Sequence, residues 1–175
     1  MGEEKNLMSY ILSQLFGFGA FLISLTAYHK NKKKKILSTM IFSNLLNFMH
    51  YLLLGATSGC ITKVIAIIRD IFVIEKKKYP LLNKKVFLYL FVFIYVLSAI
   101  LTYQNLSSIL PLCAALIYLV AIWYGEELRI KQMAFFTQII WLFYHISITS
   151  IVGMIASMVS ILSTYIAYQK ERRFQ

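Results

Sequence analysis

Hydrophobic and polar positions alternate along this chain in long blocks rather than at a short period. Apolar runs extend over Met8 to Tyr28, Ile36 to Leu54, Cys60 to Ile74, Val86 to Tyr103, Ile109 to Tyr124, Gln132 to Thr149 and Ile151 to Tyr168, and lysine-rich segments separate several of them. At 1.5 Å per residue, about 20 residues are needed to cross a hydrocarbon layer of roughly 30 Å. Several of these runs are shorter, which predicts little tilt and anchoring by Tyr, Trp and Lys at their ends. The pattern predicts an all-α membrane protein with seven transmembrane helices. Composition agrees, since 59% hydrophobic and 14% charged residues lie outside the ordinary globular range. The third run is the hardest to place in lipid. It carries Lys63, Arg69 and Asp70, each opposing insertion by roughly 2.5 to 3.5 kcal/mol at a helix centre.

The net charge of +11 does not point to nucleic acid, because the lysines fall between apolar runs instead of along one face. They point to orientation. Alternate connections hold five Lys or Arg in 29–35, five in 75–85, two in 125–131 and three in 169–175, against Lys5 alone on the other side. The positive-inside rule then puts the N-terminus outside and the C-terminus in the cytoplasm, as an odd number of spans requires. The first run is expected to stay as a helix rather than be cleaved, since its positive charge follows it. Cys60 and Cys113 fall near outer ends of spans, where a disulfide is conceivable, although a buried cysteine is usually a small hydrophobe.

A shift of 94 residues lays the first three runs on the last three without a gap, with eleven identities in 63 positions, among them Ala20 on Ala114, Gly59 on Gly153 and Lys76 on Lys170. A three-span unit ends on the opposite side from where it began, so a second copy needs one extra span to stand the same way up. The run Val86 to Tyr103 has no counterpart and fits that role. The expected organisation is a three-helix bundle over 1–78, a linker helix over 79–104 and a second, parallel three-helix bundle over 105–175.

This 3+1+3 plan resembles the SWEET and PQ-loop transporters. A closer resemblance, carried by "HYLLLGA" (His50 to Ala56) with Arg69 downstream, "LRI" (Leu128 to Ile130), "WLFY" (Trp141 to Tyr144) and "SIVG" (Ser150 to Gly153), is to the YgjV-type bacterial inner-membrane protein family. That resemblance implies the bacterial cytoplasmic membrane and a fold, without naming a substrate. The proline-glutamine pair of PQ-loop proteins is absent, and Pro111 falls in a first helical turn, where proline is tolerated without a hinge.

The polar residues of the spans follow the repeat. Ser43 and Asn44 meet Thr137 and Gln138; Asn47 meets Trp141; His50 and Tyr51 meet Tyr144 and His145; and Lys63 meets Ser157. Lys63 and Asp70, seven apart, share one helix face, while Arg69 points elsewhere. Matched polar faces predict a central cavity bordered by Asn44, Asn47, His50, Lys63, Arg69, Asp70, Gln138, Trp141, Tyr144 and Ser157. Each residue also has a plainer reading: Lys63 snorkelling outward, Arg69 reaching the cytoplasmic interface, Asp70 paired with Arg69 or Lys63, and Asn44 and Asn47 bonding neighbouring helices. Ser157 can serve close packing, the histidines interfacial hydrogen bonds, and Trp141 either core packing or a stacking surface for a ring-shaped solute.

No nucleophile with a neighbouring base, no metal-ligand spacing and no phosphate loop is legible, so neither an enzyme nor a cofactor is expected. The reading that follows is a carrier or facilitator for a small polar solute at a midplane site, with Gly17, Gly55, Gly59 and Gly153 as close contacts or pivots. Its rival is a non-transporting interaction or regulatory membrane protein whose polar stripes only join helices. The expected partners are the bilayer and a small polar solute, with the oligomeric state open.

Overall fold

A computed structural model describes residues 2–76 and 78–173, with side chains from Leu7 onward. Seven α-helices form: α1 (Gly2–Ala27), α2 (Lys33–Leu53), α3 (Thr57–Glu75), α4 (Lys85–Leu101), α5 (Leu110–Tyr124), α6 (Glu127–Ser147) and α7 (Ile151–Arg172), with single 3-10 turns at Pro80–Asn83 and Leu106–Ile109. Each apolar run has become one helix. In a bilayer this is obligatory, because a helix satisfies its backbone polar groups internally. The helices overrun the apolar stretches where the flanking residues are polar. α6 starts at Glu127, five residues before its run, and α7 continues to Arg172.

Local chemistry sets the breaks. Asn105 and Ser108 form a reciprocal capping box before α5, and Pro111 stands in the first turn of α5, where its missing N–H removes no helical bond. Ser150 caps α7 by accepting the Gly153 N–H. The turns α2–α3 and α6–α7 are congruent at a spacing of 94. In the first, the N–H groups of Leu54, Gly55 and Ala56 donate to the carbonyls of His50, Leu52 and Tyr51. In the second, Ile148, Thr149 and Ser150 donate to Tyr144, Ile146 and His145. Both place their middle residue in the left-handed region, Gly55 at φ 69° and Thr149 at φ 51°.

Packing neighbours follow a closed circuit: α1 against α2, α2 against α3, α3 against α5, α5 against α6, α6 against α7, and α7 back against α1. α4 lies outside it, on α3 and α5. At one end, the Lys33 ammonium donates to the Gly125 carbonyl, Lys76 to the Trp123 carbonyl, and Lys131 pairs with Glu171 at 2.7 Å. These lysines thus tie helix ends together.

Large apolar side chains such as Leu15, Phe93 and Leu162 face outward, whereas Ser43, Asn44, His50, Arg69, Asp70, Thr137 and His145 are buried. This is the arrangement a hydrocarbon solvent favours, with polar contacts between helices and apolar surface outside. Among the described residues four helices are long and apolar enough to cross a membrane: α1, α2, α5 with its preceding turn, and α7. The other three fall short for separate reasons. α3 holds three charges near its middle, α4 has 17 residues, and α6 is diluted by Gln, His, Tyr and Trp.

Candidate functional site

A cavity of about 90 Å³ lies inside the helix circuit, bordered by side chains of α1, α2, α3, α5, α6 and α7. Its lining obeys the 94-residue spacing. Nine pairs of positions border it from both halves: Phe21 and Ala115, Ser24 and Tyr118, Ser43 and Thr137, Asn44 and Gln138, Asn47 and Trp141, Tyr51 and His145, Thr62 and Ala156, Lys63 and Ser157, Ala66 and Ser160. A space of this size holds several waters or a solute of a few heavy atoms.

Eight of the ten sequence-predicted residues border the cavity: Asn44, Asn47, His50, Lys63, Arg69, Gln138, Trp141 and Ser157. Asp70 and Tyr144 stand behind its wall. Asp70 is 0% exposed and Arg69 3%. Arg69 therefore does not reach the cytoplasmic interface, nor does it point away from its neighbour. Its Nε and one terminal nitrogen donate to Asp70 Oδ1 at 2.9 and 2.8 Å, and its other nitrogen donates to the Tyr95 hydroxyl at 3.1 Å. Asn44 donates to Asp70 Oδ2 at 3.4 Å, tying α2 to α3. Removing one member of such a buried pair is expected to destabilise by roughly 3 to 5 kcal/mol, because the other charge is left uncompensated.

Lys63 does not snorkel outward. Its ammonium sits over the Trp141 ring, 3.8 Å from the centroid, and 5.9 Å from that of Tyr51. Trp141 in turn stacks on Tyr51 with an interplanar angle of 12°. A cation over a desolvated indole gains about 2 kcal/mol, so this face of Trp141 belongs to Lys63 rather than to a ring-shaped solute. Among the described residues no carboxylate lies within ion-pair distance of Lys63.

A band of hydrogen bonds closes the end of the cavity nearer the two left-handed turns. His50 Nδ1 donates to the Ser13 carbonyl at 2.6 Å, which leaves Nε2 to accept from the Ser150 hydroxyl at 2.9 Å. His145 bridges the Tyr51 hydroxyl at 2.7 Å and Ser157 at 2.9 Å. Tyr144 accepts the Gly59 N–H at 2.9 Å and meets Ser58 at 3.0 Å. Glycine makes this band possible. A β-carbon on Gly59 would stand 2.7 Å from the Tyr144 hydroxyl, one on Gly153 2.5 Å from His145, and one on Gly17 3.0 Å from His50. Gly55 has open space around it and serves the turn by its dihedral alone.

Tyr28, Tyr95 and Tyr118 were hidden in apolar runs, because tyrosine counts there as a hydrophobe. The signal that finds them is the buried Arg69, which needs aromatic and hydroxyl neighbours. Tyr95 takes one of its hydrogen bonds, and the Tyr118 ring lies 5.2 Å from its guanidinium carbon. The two cysteines are both free, Cys60 buried and Cys113 exposed, so no disulfide joins them.

The family model for bacterial inner membrane proteins of the Imp-YgjV type matches residues 11–175. The chain belongs to this family. The match spans both halves and the connecting helix, so the cavity lies within the family's own region. No curated protein and no solved structure matches the chain. The lining sets the chemistry of the Imp-YgjV cavity. That lining offers one cation with no carboxylate in ion-pair distance among the described residues, a guanidinium neutralised by Asp70, amide and hydroxyl groups, and aromatic faces. These suit recognition of a solute.

Proposed function

We propose that this Imp-YgjV protein is a carrier or facilitator for a small polar solute. In this reading all seven helices span the inner membrane, N-terminus outside and C-terminus in the cytoplasm, as two parallel three-helix bundles joined by α4 in the manner of the SWEET and PQ-loop plan. The solute occupies the midplane cavity between them. The observation that carries the reading is the nine-pair symmetry of the cavity wall. Packing glue alone requires polar residues to match between neighbouring helices, not across two halves of a chain around a shared space. With no proline hinge, exchange of access would come from rocking of the bundles, which must break His50–Ser150 and Tyr51–His145 at one end and the Lys33 and Lys76 contacts at the other.

The test is uptake into liposomes bearing the purified protein, challenged with a mixed panel of small sugars, amino acids and carboxylates, with vesicle contents read by mass spectrometry. At least one solute should enter faster than into protein-free vesicles, and Lys63→Ala or Asp70→Asn should abolish the difference. Equal entry of every panel member with and without protein would sink the reading in favour of a non-transporting membrane protein.

A further inference from the structure

Charge accounting inside the cavity restricts the solute, given the carrier reading above. The wall holds two cations, Lys63 and Arg69, and no Asp or Glu. Arg69 is paired: Asp70 accepts from it twice at Oδ1 and from Asn44 at Oδ2, and no ion pair links that carboxylate to Lys63 among the described residues. The Lys63 amine rests on the Trp141 face, with no carboxylate in ion-pair distance and no hydrogen bond to any described residue. A second group in the wall is also unsatisfied. The Tyr118 hydroxyl is buried, its residue 7% exposed, and has no hydrogen-bond partner among the described residues. Buried hydroxyls and ammonium groups ordinarily have partners, so two donors bordering one space point to an acceptor that occupies it.

We infer that the solute is a small, singly charged carboxylate, with Lys63 as its counter-ion and Tyr118 as a hydrogen-bond donor. A neutral solute leaves Lys63 uncompensated in a low-dielectric interior, a cation adds repulsion, and a doubly charged anion leaves one negative charge in excess. A carboxylate matches the single charge and presents two oxygens to separate donors. Its carbon end meets the rings of Tyr51 and Trp141, which also border the space. On binding, the ammonium trades the indole face for an oxygen, so the solute reports its own arrival on Trp141.

The experiment uses the full-length protein in nanodiscs, with Trp123→Phe leaving Trp141 as the one remaining tryptophan of two. Acetate, acetamide and methylammonium are titrated at ionic strength held with sodium chloride, and Trp141 emission and thermal stability are followed together. Acetate alone should shift the emission and raise the melting temperature with concentration, as a ligand of the native state does. Lys63→Gln should weaken acetate by about tenfold or more, the scale of one charge-assisted contact. If Lys63→Gln does not fold, Tyr118→Phe still tests the site: it removes one unpartnered oxygen, and should weaken acetate several-fold without lowering the melting temperature in its absence. Acetamide binding as well as acetate, or acetate binding undiminished to Lys63→Gln, overturns the carboxylate. A neutral panel solute entering liposomes would overturn it too while leaving the carrier standing, whereas no uptake at all removes both.

Discussion

Exchanging the residues of the two left-handed turns should move stability in opposite directions. Gly55 and Thr149 stand 94 apart, make the same backbone bonds to the preceding helix, and sit at φ 69° and 51°. For an L-residue this conformation costs about 1 to 2 kcal/mol, with β-branched residues at the unfavourable end. Glycine avoids that cost but loses more freedom on folding, by about 0.4 to 1 kcal/mol. Thr149→Gly should therefore stabilise by a net of about 0.5 to 1 kcal/mol. Gly55→Thr should destabilise by a similar amount, and since a β-carbon at position 55 meets nothing within 4 Å, sterics add little. For a chain of this length about 1 kcal/mol corresponds to a melting shift of roughly 2 to 4 °C. Reversible unfolding in mixed micelles, followed by far-ultraviolet circular dichroism, reads both variants. Thr149 also lends its carbonyl to Tyr10 at 3.3 Å, a backbone contact that either residue keeps. If Thr149→Gly destabilises, or Gly55→Thr leaves the midpoint in place, the dihedral argument and the equivalence of the turns both fail.

Other outcomes follow from close contacts and charges. Gly59→Ala and Gly153→Ala should each destabilise by about 2 kcal/mol or more, since overpacking at rings fixed by hydrogen bonds has nowhere to relax; Tyr144→Phe should relieve part of the Gly59→Ala loss and none of the Gly153→Ala loss, as read by micelle unfolding. Arg69→Met alone should cost about 3 to 5 kcal/mol, and the double variant Arg69→Met, Asp70→Leu less than either single change, because no unpaired charge remains; a double variant as unstable as the sum would refute the ion-pair account. Single cysteines placed near the two chain ends, in a background without Cys60 and Cys113, should react with an impermeant maleimide only near the N-terminus in intact cells. Labelling of both ends would contradict the proposed orientation.

The helices were legible because lipid-facing elements need nearly unbroken apolar runs, and even the first turn of α5 followed from Pro111. The polar faces were legible through the spacing of 94. What the sequence concealed was side-chain direction. Residues one apart normally diverge by about 100° on a helix, yet Arg69 is long enough to fold back onto Asp70. Helical geometry alone therefore sent it the wrong way. Lys63 had two readings open, an outward reach and the cavity wall: its reach to the interface is computable from position, whereas the attraction of Trp141, on a distant helix, becomes visible only once α3 and α6 are packed. The tyrosines escaped because a hydropathy pattern does not register a hydroxyl.

Two of the contacts between halves join residues that correspond to each other: Tyr51 with His145, and the Lys33 backbone with the Glu127 carboxylate at 3.0 Å. Two identical subunits meeting on a twofold axis would have to set like against like at such positions, tyrosine on tyrosine or lysine on lysine. A single polypeptide is free of that restriction and can place a hydroxyl opposite an imidazole, or an acid opposite an amide. Covalent continuity therefore does more than hold the halves near one another. It lets the seam between them carry a polarity that no homodimer of either half could reproduce, and separately expressed halves would have to recognise each other rather than themselves.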